Sequence, residues 1–282
     1  MSKQDRKLFK LTTIHPLLED GETDEDFWQS TCGLSAKEIN FEDIYVRRSF
    51  HQFKGRERPR EKMNIKIGFK NKDELKLMER TFNRGSILAD IGESEVTFDV
   101  KPTDRMFTVL LGSQPSIAAT LNYVKKLTAF AKESPNIPTH LFVYCAEHKE
   151  KEESLFRSVA DFVSRIKNYP KNFSIIPFTY QKEEVIAHLF FRSDMTCTRS
   201  GGQTAMELMC VSTGQIWIHS EAKKGQDVLL GIPGWEGASA VYLQKQKGAK
   251  ILTPDTIIEH ARLLHQTNNR QGLTNRELES TA

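Results

Sequence analysis

From Arg105 to about His265 the chain alternates short apolar runs with amphipathic stretches, and this restricts the fold more than any other feature. Phe107–Leu111 (FTVLL), Thr139–Cys145 (THLFVYC), Phe173–Ile176 (FSII), Asp194–Thr198 (DMTCT) and Gln215–His219 (QIWIH) are bounded runs of strand length. Lys250–Leu252 adds one more. Between them, Ile117–Ala131, Glu152–Ile166, Lys182–Phe191, Gly202–Cys210, Gly237–Gln246 and Asp255–His265 read as helices. Strands that alternate with helices build a parallel sheet covered on both faces, because a parallel neighbour is reached only by a crossover. The expected fold class is therefore α/β, with a Rossmann-like parallel sheet over residues 106–265. A small, incomplete N-terminal α/β region (1–105) and a polar tail (266–282) flank it.

Such a sheet binds ligands at the carboxyl ends of its strands. Three segments fall there: Gly112-Ser113-Gln114, Phe178-Thr179 and Arg199-Ser200-Gly201-Gly202. The last continues as Gln203-Thr204 and reads as a strand, a tight turn and a helix N-terminus. Glycines admit a ligand close to the backbone. The first helical N–H groups have no internal partner, and the helix dipole adds positive charge. The turn therefore suits a phosphate or pyrophosphate. It equally suits a plain strand-to-helix turn with Ser200 as N-cap.

The N-terminal region carries two charge blocks. Glu19–Asp26 (EDGETDED) is acidic. Arg47–Lys62 (RRSFHQFKGRERPREK) holds seven Lys/Arg against two Glu, with Phe50 and Phe53 interleaved. The favoured reading of the second block is a solvated, flexible linker, and an RNA or acidic-partner patch is the alternative. Asn64–Phe69 and Glu95–Val100 read as strands and Lys72–Phe82 as a short helix. A net charge of +3 is too small to imply a nucleic-acid partner. Cys32, Cys145, Cys197 and Cys210 are scattered without metal-type spacing, which reads as reduced buried thiols. There is no apolar run of membrane-spanning length and no signal-peptide core, so the expectation is a cytoplasmic protein without a transmembrane segment. The polar tail faintly resembles the export tails of bacterial type IV secretion effectors, which would place the chain in a host cytosol.

Residues 106–265 resemble the C-terminal, donor-binding domain of GT-B glycosyltransferases, most of all the lipid-II-forming N-acetylglucosaminyltransferase family. Val109–Gln114 (VLLGSQ) is similar to that family's first strand and Gly-Ser-Gln turn. Phe178-Thr179 resembles its base-covering loop, and Asp194–Glu207 (DMTCTRSGGQTAME) resembles its strand, Arg-Ser-Gly turn and Glu-bearing helix. Pro233–Ala240 (PGWEGASA) and Lys247–Lys250 resemble its last sugar-binding loop and Gly-Ala turn.

The resemblance implies a nucleotide-diphosphate sugar, UDP- or GDP-linked, as co-substrate, with no permanently bound cofactor and no metal. It implies that Ser200, Gly201, Gly202, Gln203 and Thr204 hold the diphosphate and Glu207 the ribose hydroxyls. Gly112, Ser113 and Gln114 would meet the diphosphate or sugar, with helix capping as the other reading. Phe178 and Thr179 would flank the base, although Phe178 also fits a core position. Arg199 would pair with phosphate, or with Asp194 or another acid. Trp235 would stack on a sugar or base, or simply pack. Glu236 stands where the family has Gln or Asp-Gln, which leaves the sugar open. Arg199 and Glu236 are the catalytic candidates; His219 and Glu221 line the same cleft; Lys223 and Lys224 screen phosphates or are surface charges.

Residues 1–105 lack the Gly-rich loop ending in His with which the resembled acceptor domain begins. A fragment of a larger enzyme is the favoured explanation. A donor half needing a separate acceptor-binding subunit, or a non-catalytic nucleotide-sugar module, are the others. A UDP-sugar 2-epimerase-like enzyme and an RNA- or protein-binding module are the alternative functions. The acceptor is unknown.

Overall fold

The computed structural model describes residues 11–13, 26, 29–30, 33, 35, 39–41, 46–81, 87–133, 135–147 and 154–263. Cys32, the tail from 266 and all of the acidic stretch except Asp26 lie outside them. Strands β1 (Leu11–Thr13) and β2 (Ile39–Phe41) pair in parallel. Helix α1 (Arg48–His51), β3 (Met63–Gly68), α2 (Lys72–Glu79), β4 (Leu88–Ile91) and β5 (Glu95–Val100) follow. The alternating part comprises β6 (Arg105–Leu110), α3 (Ile117–Glu133), β7 (Thr139–Tyr144), α4 (Leu155–Ser164), β8 (Phe173–Phe178) and α5 (Glu183–Arg192). It continues with β9 (Met195–Thr198), α6 (Gly202–Val211), β10 (Gln215–His219), α7 (Gly234–Lys247) and β11 (Lys250–Leu252). Residues 257–263 are helical.

Six strands form one parallel sheet in the order β11-β10-β9-β6-β7-β8. This is the doubly wound α/β order, running outward from β6 in one direction and then from β9 in the other. Because right-handed crossovers reverse direction there, α3 and α4 share one face while α5, α6 and α7 cover the other. Every residue of β7, β8 and β9 is buried, as a sheet covered on both faces requires. The fold is thus the Rossmann-like arrangement that the alternation implied. Observed and expected strand bounds differ by a residue or two, within the fraying of element ends. Helix α7 starts earlier than the periodicity suggested and stops at Gly248, whose φ of 63° is the left-handed cap that glycine favours.

The N-terminal region adds a three-stranded antiparallel sheet, β3-β5-β4. It shares the apolar core of the parallel sheet, and Phe98 of β5 meets Phe142 of β7 edge-on at 5.9 Å. The short β4 had no counterpart in the sequence reading.

The basic stretch at residues 47–62 keeps most of its residues exposed, but it is anchored to the domain rather than free along its length. Phe50 and Phe53 are buried, the first 6.2 Å from Phe190 and the second stacked on Phe191 at 4.4 Å. These rings tie the stretch down as a strap over α5 and α6, while five of its seven cations stay exposed to water. The cations are placed at the rims, with Arg47 against Glu207 and Arg58 against Asp194.

Candidate functional site

The direction of the sheet reverses between β6 and β9, and the loops that leave those two strands form the site. Gly112 follows β6 with φ of 82°, a left-handed turn open to glycine. Arg199 follows β9 and lies against it; a Cβ on Gly112 would stand 3.6 Å from Arg199 Cδ. The first bond of α6 runs from Ala205 N–H to Gly201 C=O, so the N–H groups of Gly202, Gln203 and Thr204 precede the helical ladder.

Gly201 and Gly202 are not glycine for reasons of folding. Gly201 has φ of −58°, which any residue adopts, and a Cβ built on either residue meets nothing within 4 Å. Side chains here would project into open space above a helix N-terminus at the switch point of the sheet.

One lobe of the cleft lies on the α6 side. Gly112, Ser113, Thr204 and Glu207 line it with Tyr144, Tyr180, Gln181 and Arg47, around a cavity of about 160 Å³. Glu207 sits one turn past Gln203 and is buried. Arg47 donates to its two oxygens from Nε at 2.5 Å and Nη2 at 2.9 Å, and Gln203 Nε2 adds a bond at 3.0 Å. The hydrogen bond to Glu207 raises the Arg47 pKa; partial burial opposes it, and the charges of Glu207 and Glu183 add to it.

The second lobe lies on the β10 side of Arg199. Arg199, His219, Glu221, Gly231, Ile232 and Pro233 line about 450 Å³. Arg199 Nε donates to Glu236 Oε2 at 3.1 Å, so the arginine pairs with this acid and not with Asp194, which lies at the other end of β9. Ser200 is fully buried and its hydroxyl donates to the Glu236 carbonyl at 2.9 Å. The N-cap of α6 is Gly201, so the capping reading of Ser200 is corrected: its side chain is turned toward α7. His219 Nδ1 and Tyr123 Oη are 2.9 Å apart. Burial pushes the His219 pKa down to about 4, with Glu221 opposing and Arg199 assisting. Burial raises that of Tyr123 far above neutrality. Both are neutral at pH 7, and His219 Nε2, buried at the lobe, has no hydrogen-bond partner among the described residues.

Other candidates stand apart. Phe178 is fully buried beside Tyr144, and the Thr179 hydroxyl, also buried, reaches Glu74 at 3.3 Å. Neither lines the cleft; Tyr180, the next residue, does, and is 71% exposed. Gln114 is exposed, and the hydroxyl over the start of α3 belongs to Ser116. The side chain of Trp235 lies outside the described residues. Glu221, Lys223 and Lys224 are on the loop after β10. Cys145, Cys197 and Cys210 are buried free thiols, and burial raises the pKa of each. Among the described residues no cluster of His, Cys, Asp or Glu fits a metal ion, and no helix is long and apolar enough to cross a membrane. Tyr180 was not among the sequence candidates, and Arg47 entered only as the first residue of the basic stretch. The only local sign for Arg47 was the Phe50/Phe53 pair that anchors its neighbourhood.

No protein-family model matches the chain, and no curated protein matches it. Among solved structures it is similar to the glycotransferase of kitacinnamycin, at 15% identity over 57% of this chain and 35% of that one, with a TM-score of 0.37. It is similar to MurG of Acinetobacter baumannii, at 19% identity over 63% and 43%, with a TM-score of 0.36. It is also similar to a UDP-forming α,α-trehalose-phosphate synthase of Burkholderia xenovorans, at 11% identity over 86% and 50%, with a TM-score of 0.41. The chain spans half or less of the length of each of these proteins.

Proposed function

We propose that this chain binds a UDP- or GDP-linked sugar in the cytoplasm and is the donor-binding part of a glycosyltransferase. The observation that carries the reading is the pair of glycines at Gly201 and Gly202, which the fold does not require and which stand open over a helix N-terminus. Backbone N–H groups of Gly202, Gln203 and Thr204, with Ser113 opposite, suit a diphosphate. Glu207 suits the ribose diol, and Tyr180 a base. Arg199 and Glu236 suit the sugar and the departing charge. In the reaction the acceptor oxygen bonds to the anomeric carbon while the nucleoside diphosphate leaves with the electron pair of the broken C–O bond. The helix N-terminus and Arg199 stabilise that charge electrostatically, and the acceptor proton passes to a general base. The acceptor seat and that base belong to an acceptor-binding half that completes the enzyme.

UDP or GDP at millimolar concentration is expected to raise the melting temperature of the wild type but not of Glu207→Ala. Hydrolysis of UDP- and GDP-sugars, screened side by side, identifies base and sugar. No rise with any nucleoside diphosphate, in the wild type or in a chain with Arg47 replaced, sinks the reading.

A further inference from the structure

Glu207 already holds a group, and that group belongs to the chain itself. The Arg47 fork closes on both carboxylate oxygens, and Gln203 takes a third position. A carboxylate offers about four lone-pair sites, so one is left. The edge of a guanidinium and the cis-diol of a ribose present the same pattern to a carboxylate, namely two donors side by side, one for each oxygen. They cannot both hold it.

The surroundings favour exchange. The Glu207 side chain is 2% exposed, whereas that of Arg47 is 40% exposed at the rim. With Arg47 as one wall, the lobe measures about 160 Å³, below the roughly 300–1,000 Å³ of small-molecule sites. The strap is anchored without this pair: Phe50 and Phe53 are buried, and the Ser49 hydroxyl donates to Glu183 at 2.7 Å. The Arg47 side chain can therefore leave while the backbone stays. Glu183 is close enough to act on the Arg47 charge and offers it a second counter-ion.

Resting on the reading of Glu207 as the acceptor of the ribose diol, we propose that Arg47 is an internal competitor for that diol. It occupies Glu207 in the chain alone and swings off when a nucleoside diphosphate binds, so the strap sets the affinity of the site.

Titration calorimetry on the full chain tests this with UDP and GDP, each beside its 2′,3′-dideoxy analogue. Arg47→Met is expected to bind the ribose form about tenfold more tightly than the wild type. Arg47→Lys keeps the charge without the fork and gains less. Neither variant gains affinity for the dideoxy form. Equal or weaker binding of the ribose form by Arg47→Met overturns the proposal and leaves the site reading standing. An equal gain for the dideoxy form also overturns it, because Arg47 then acts by bulk or charge alone. Should Arg47→Met fail to fold, Arg47→Lys against the wild type decides by the same criteria. Binding of neither nucleotide by any of these chains overturns the site reading, and the proposal with it.

Discussion

The strap sets an arginine on a buried acid at each edge of the parallel sheet, and the two pairs have unlike neighbours. At the amino edge Arg58 meets Asp194, which also accepts the Met106 N–H at 2.8 Å and Arg192 at 3.3 Å. Arg192 is wholly buried and donates onward to the carbonyls of Lys101 and Asp104 at 2.6 and 2.8 Å. The Asp104 carboxylate is tied to Lys101 N–H and His140. At the carboxyl edge Glu207 has Arg47 and one glutamine, and its other side faces a cavity. Asp194 is the counter-charge of the wholly buried Arg192, and its loss would leave that arginine unpaired in the core. Glu207 balances no wholly buried cation among the described residues, and it faces a cavity that a ligand can enter. The same pairing chemistry is thus structural at one edge and exchangeable at the other.

The largest effect expected from this contrast is on Asp194→Ala. It strands Arg192 in the core and is expected to cost about 3–5 kcal/mol in denaturant unfolding. A cost near zero would break the contrast at once.

Acid separates the edges more gently. The unfolded chain protonates His219 near its ordinary value of 6.5, but the folded chain does so only near 4. Stability present above pH 6.5 therefore falls as the pH drops toward 4, by at most about 3 kcal/mol. Burial alone would raise the Asp104 pKa, but the bond from His140 and the Lys101 N–H lower it on balance below 3.8. Its contribution, present at higher pH, is lost only as the pH falls further. The carboxyl edge is expected to weaken first, and His219→Gln to flatten the loss between pH 6.5 and 4 in unfolding measured against pH.

Glu207→Ala is expected to cost only about 1 kcal/mol, since Arg47 turns to water, while removing nucleotide binding. A cost as large as that of Asp194→Ala would make the carboxyl-edge pair structural too. Gly202→Ala is expected to leave stability unchanged or raised by about 0.4–1 kcal/mol and to weaken nucleotide binding measured by calorimetry. A loss of stability instead would mean that the turn needs its glycine for folding.

Much of the frame was legible in the residues. Runs such as THLFVY and FSIIPF are buried on both faces, and continuous apolar runs are how such strands read. The Arg199–Gly202 turn was legible because glycines between a strand and a helix leave few alternatives. The short β4 was not, since LADI carries too few residues to show a period. The surroundings of Ser200 and Thr179 were not legible either, and the buried position of Phe178 was one of two readings the sequence left open. Each is decided by what lies over it in space, namely the Glu236 carbonyl, the Tyr144 ring and the Glu74 carboxylate. In the strap most charges stay in water as their count suggested, but the two phenylalanines anchor it, and what they pack against is not written in the stretch itself.

By itself the sequence determined the alternating elements of residues 106–265, their parallel sheet and the turn at its switch point, because these follow from periodicity and glycine placement within a few residues. Only the tertiary structure decided that Arg47 closes on Glu207, 160 positions away. Ion pairing depends on distance and burial, and neither is written in the neighbours of a residue along the chain.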